Sequence, residues 1–253
     1  MTLGLLLIIG FMVWQKYTPS AILPSNLFQE MVRTILQYII DSQRTSILTL
    51  VIVGLAGAAG SAVLTFFPLE VQQIFGSDEL HAARILVPLG FAIPLGIILV
   101  NYGLSYTEGA NRELFLLFSC FMVAGIPGLA SLNVNSAGRA MGLSFLGGLG
   151  VGGIIQPAAT ILTIIFPDDL IGTIVGLALS VRLVGASVGS AIYLNVLENK
   201  LGTVDGSPTT DSYFDGYRVI YLVTIAFGGA ALAASAFLGN IKKYMVERVA
   251  VTL

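Results

Sequence analysis

Charge and chemically reactive side chains are what this chain has least of. Of 253 residues only 10% are Asp, Glu, Lys or Arg, there is a single cysteine (Cys120), a single histidine (His81) and a single tryptophan. One thiol excludes an internal disulfide and any cysteine-based zinc cluster, so no metal site is expected. Basic residues occur singly at the ends of apolar runs, and the formal net charge is -2, which gives no reason to expect a nucleic-acid partner. No Asn-x-Ser/Thr sequon is present.

What fills the chain is apolar: 56% of residues are hydrophobic and the mean hydropathy is +0.90. That lies outside the balance of a soluble domain and predicts an all-α, polytopic membrane protein in a lipid bilayer. Six runs reach the length of about 20 residues that a bilayer crossing takes. They are Ser46 to Phe67, extended by the polar-tipped Pro68 to Gly76, then Arg84 to Tyr102, Leu114 to Leu132, Ala140 to Phe166, Leu170 to Asn195 and Val219 to Leu238. Together they predict a six-helix bundle over 46–240.

Residues 1–14 form an apolar run too short for a full crossing, with neither the leading charge nor the small-residue cleavage site of a signal peptide. The run reads as a partial transmembrane helix, or as a short anchor. Residues 15–45 read as a cytoplasmic linker, in which Leu27, Phe28, Met31, Ile35, Leu36, Ile39 and Ile40 give one apolar helical face. Residues 241–253 read as a cytoplasmic tail. Lys16, Arg33, Arg44, Arg112, Lys242, Lys243 and Arg248 then share the inner side, against Arg84, Arg139, Lys200 and Arg218 outside, a bias of seven to four. This arrangement puts Asp168-Asp169 on a tight cytoplasmic turn, the acidic segment Glu198 to Asp215 on an outer loop, and His81 in an outer polar loop.

Small residues recur at four-residue spacing, including Gly148/Gly152 and Gly185/Gly189, which predicts helix-packing stripes in the fourth and fifth spans, with each span the other's partner. Pro88, Pro94 and Pro157 are expected helix kinks. Two motifs imitate soluble enzymes. Gly148-x-Gly150-x-x-Gly153 matches a dinucleotide fingerprint, and Gly185-x-Ser187-x-Gly189 a nucleophile elbow. Both need a strand-to-helix turn, and both lie in bilayer-length runs, so neither an enzyme nor a cofactor is expected.

Arg182 is the residue that asks for a function. It falls about 11 residues, or roughly 16 Å, into its span, too deep to reach either interface easily. Arginine at mid-membrane costs about 2.5–3.5 kcal/mol even on lenient scales, so it should face a water-filled cavity or a polar partner. Glu70, Gln72, Gln73, Gln156 and Asn195 are the candidate partners, and an arginine that merely ties two helices together is the alternative. Glu70 is a candidate proton-sensitive carboxylate if buried, and a wetted rim residue otherwise. Arg182, Gln156, Glu70 and Gln72 are thus the candidate substrate or proton pathway.

The order of motifs resembles a known family. Pro24 to Glu30 (PSNLFQE), Phe66 to Gly76 (FFPLEVQQIFG), Leu86 to Gly96 (LVPLGFAIPLG), Gly148 to Thr173 and Ser180 to Leu201 are similar to the C-terminal half of fungal major facilitator superfamily drug:proton antiporters of the 14-span type. The likeness is to the branch that holds trichothecene efflux pumps and siderophore-iron transporters. It implies a helix bundle that packs against an N-terminal half and moves a small molecule by alternating access, coupled to protons. A complete transporter of this kind has a second six-span half, so the resemblance implies a fragment whose partner is that half or a full-length relative. The other function class is a truncated, non-transporting membrane protein that pairs with transporter subunits. The plasma membrane, or a vacuolar or other endomembrane, is the expected location.

Overall fold

The computed structural model describes residues 44–74, 79–107, 110–132, 136–166, 170–202 and 210–239. The chain divides into two compact units between Gln43 and Arg44. The partial span expected at 1–14, the amphipathic helix of the linker, the Asp168-Asp169 turn and the tail 241–253 all lie outside the described residues.

Every described element is helical: α1 (Arg44–Ser61), a π turn (Ala62–Phe66), α2 (Phe67–Ile74), α3 (Glu79–Tyr106), α4 (Asn111–Gly128) with a 3-10 turn (Leu129–Ser131), α5 (Ala137–Ile165), α6 (Ile171–Gly202) and α7 (Thr210–Ala236). They supply six helices long and apolar enough to cross a membrane, the first being α1, the π turn and α2 together. This is a multi-pass, all-α membrane architecture, since a helix satisfies its own backbone where no water is available.

The helices outrun their apolar stretches. α3 begins at Glu79 and therefore takes in His81, which is exposed on its first turns rather than in a loop. Likewise α6 continues to Gly202 and α7 starts at Thr210, so most of the expected outer loop from Glu198 to Asp215 is helical at its two ends. The cause is that helical hydrogen bonding continues through polar residues once a long helix is nucleated. Pro88 and Pro94 lie inside α3, and Pro157 inside α5, without interrupting either helix.

Packing centres on α1 and α5. α5 lies between α3 and α4 and also meets α1, while α1 packs chiefly against α6 and α7. The apolar heart of α5 is 78% buried, against 11% for α6, which makes α6 the least covered span of the six. Lipid is as apolar as a leucine side chain, so helices in a bilayer gain from van der Waals contact rather than from leaving water. Glycines provide that contact on both faces of α5.

Their partners differ from the pairing expected between the fourth and fifth spans. A methyl built on Gly148 would sit 2.7 Å from Leu89 Cδ1, and one on Gly152 2.9 Å from the Cα of Ile93, so both glycines face α3. Gly185 and Gly189 face α1 instead, where the same construction meets the Cα of Gly54 at 3.0 Å and of Ala58 at 2.9 Å. Spacing in the sequence marks a stripe on a helix but not the neighbour it meets. Gly138, Gly142, Gly172 and Gly176, which have the same four-residue spacing on other faces of α5 and α6, have nothing within 4 Å of the same position.

Candidate functional site

Two polar regions stand out within the apolar bundle. The first begins at Pro68. Its ring carries no N–H and would crowd the carbonyl four residues earlier, at Leu64. Instead of bending sharply, the chain inserts one residue into the preceding turn, and the Phe67 N–H bonds the Ala62 carbonyl five residues back. Such π turns gather at functional sites.

Directly after it, Glu70 is carried into the protein and is only 1% exposed. The Tyr221 hydroxyl of α7 donates a hydrogen bond to Glu70 Oε2. One turn away, the Tyr217 hydroxyl donates to Gln73 Oε1 at 2.8 Å. Residues three apart on α2 thus meet residues four apart on α7, running in opposite directions. Tyr217 and Tyr221 are fully buried, whereas Gln72 and Gln73 are exposed.

Behind this pair of bonds stands an aromatic wall. Tyr193 of α6 is fully buried, donates to the Ala58 carbonyl at 3.1 Å, and meets Phe66 and Phe227 edge-on with centroids 5.7 and 6.3 Å away. Edge-to-face pairs of this kind add about 0.5–1.5 kcal/mol beyond the area they bury. The wall ties the π turn to α6 and α7.

The second polar region lies at mid-depth. Arg182 is half-buried on α6, and its backbone lies against Gly57 of α1. Among the described residues its guanidinium has no hydrogen bond or ion pair, and its neighbours Leu183 and Val184 are each 63% exposed. Glu70 is not its partner: it lies about 13 residues beyond Gly57, hence about 20 Å further along the first span. Asn195 is exposed and bonds the Ala191 carbonyl of its own helix at 2.8 Å.

Gln156 is exposed on α5 although every other residue from Gly147 to Ala159 is buried. Counting from the connection between α5 and α6, Gln156 and Arg182 lie at similar depths, about 14 and about 16 Å. The two imitated enzyme motifs lie within unbroken helices, and Ser187 Oγ donates to the Leu183 carbonyl at 2.9 Å.

No family model matches the sequence. Reading the sequence for charge singled out Glu70 and Arg182 but not the tyrosines Tyr217, Tyr221 and Tyr193. The available signal was the four-residue spacing of Tyr213, Tyr217 and Tyr221, which places three phenols on one face at the start of the last span.

Proposed function

We propose that this chain is the C-terminal part of a proton-coupled secondary transporter of the major facilitator type, which exports a hydrophobic metabolite or drug. The observation that carries this reading is the occurrence of an exposed Gln156 and a half-buried Arg182 at similar mid-membrane depth on adjacent helices. A guanidinium in contact with hydrocarbon is costly, so polar groups at this depth belong to a water-filled pathway or to a partner surface. The poor coverage of α6 supplies room for such a pathway, and the motif order described above points to the same transporter class. In this reading the remaining partner is an N-terminal half, and the plasma membrane is the site of action.

The test is retention of lipophilic fluorescent compounds, and in a parallel arm of a ferric hydroxamate chelate, by cells that express the full reading frame. Export of lipophilic compounds that collapses with the proton gradient supports the proposal. Chelate uptake without export would move the reading to iron-chelate import. Absence of any flux, with the protein at the cell surface, would leave the non-transporting membrane protein as the better reading.

A further inference from the structure

The mid-membrane pair does not use Glu70, which is buried about 20 Å away along the first span. Its surroundings define a different task. α2 packs against α7 and α3, and the π turn also touches α6. On α7 the groups turned inward are Tyr217 and Tyr221, with Tyr213 half-buried and Asp215 and Arg218 exposed. On α3, His81 and Arg84 are exposed. On α6 the group at the π turn is Tyr193, while Glu198 and Lys200 are exposed and Arg182 lies far down the span. Phenols, and no buried basic side chain among the described residues, therefore surround this carboxyl.

A carboxylate enclosed without a cation is costly to keep as an anion, and the usual remedy is to bind a proton. The local geometry suits both states. As an anion Glu70 accepts from Tyr221; as an acid it still accepts from Tyr221 through one oxygen and carries the proton on the other. Glu70 also lies only four residues from the end of α2, about 6 Å along the axis, and exposed Gln72 and Gln73 lie between it and that end.

We infer that Glu70 is a proton-exchange site of the first span, reached from the Gln72–Gln73 end of α2 and coupled to the last span through the Tyr221 hydroxyl. The step is a simple one: a proton from the aqueous phase adds to a carboxylate oxygen to give the neutral acid, and no other covalent bond changes. The π turn beside it packs on α6 through the edge-on contact of Phe66 with Tyr193, which is the place where a change of charge at Glu70 can become a change of helix position. Exchange at Glu70 rests on geometry alone, while its use in transport rests on the proton-coupled reading above.

The experiment is pH-difference infrared spectroscopy of the chain in phosphatidylcholine bilayers. A protonated-carboxyl band should rise on acidification, with one component that is lost in Glu70→Gln, which preserves an acceptor for Tyr221, and whose midpoint moves in Tyr221→Phe. If Glu70→Gln does not fold, Tyr221→Phe and wild-type protein labelled with ¹³C-glutamate carry the same assignment. A pH-dependent carboxyl signal unchanged by either substitution would overturn the site. Proton flux is measured separately. A titrating Glu70 in a protein without proton-driven transport would sink the transport reading and leave the site standing.

Discussion

Gly57 of the first span lies against the backbone of Arg182 in the fifth, so the two helices touch main chain to main chain at the level of the mid-membrane arginine. A methyl built on Gly57 would contact the Arg182 carbonyl oxygen and lie 3.3 Å from its Cα. Backbone atoms cannot move aside as a side chain can. The contact fixes where Arg182 leaves α6.

Gly57→Ala should therefore destabilise the bundle, by about 1–3 kcal/mol as overpacked sites do. Gly176→Ala, where nothing lies within 4 Å, should be neutral or gain slightly from the better helix propensity of alanine. Thermal unfolding in detergent compares the two. Equal melting temperatures would show that α1 and α6 are not in close contact.

How much of this was legible in the sequence differs by level. The six spans could be read because bilayer thickness imposes a length and hydrocarbon imposes apolarity, and both are local properties. Helix ends were harder, as His81 shows, since helical hydrogen bonding does not stop where hydropathy does. Packing partners were not legible: Gly185 and Gly189 are spaced for a neighbour, but nothing in that spacing selects α1 over α5. Glu70 stood out as a candidate partner for Arg182 and as a carboxylate that would be proton-sensitive if buried, yet its partner Tyr221 lies 151 residues away in a stretch that looks like any aromatic-rich span.

Tyr221→Phe should cost more than Tyr217→Phe. The first removes the described donor to a buried carboxyl, a loss of about 1–3 kcal/mol. The second frees Gln73, which is exposed, so only about 0.5–1.5 kcal/mol is at stake. Combining Tyr221→Phe with Glu70→Gln in a double-mutant cycle of unfolding measurements should return a coupling energy above the scatter expected for unconnected sites. An additive result would mean that the two side chains act independently.

Cys120 provides a test of which surface faces lipid. It is exposed on α4, near the middle of a span that runs Asn111–Ser131. In intact vesicles it should resist a charged, membrane-impermeant maleimide and react fully once the protein is denatured in detergent. Rapid labelling of the native protein would place that face of α4 on water.

The most direct measurement of the central claim is pH-gradient-driven flux of the exported compound in proteoliposomes, comparing wild-type full-reading-frame protein with Arg182→Ala at equal incorporation. The account predicts loss of most of the flux with folding retained, because the arginine lies at mid-depth with no partner among the described residues. Flux equal to wild type in a folded Arg182→Ala protein would contradict it.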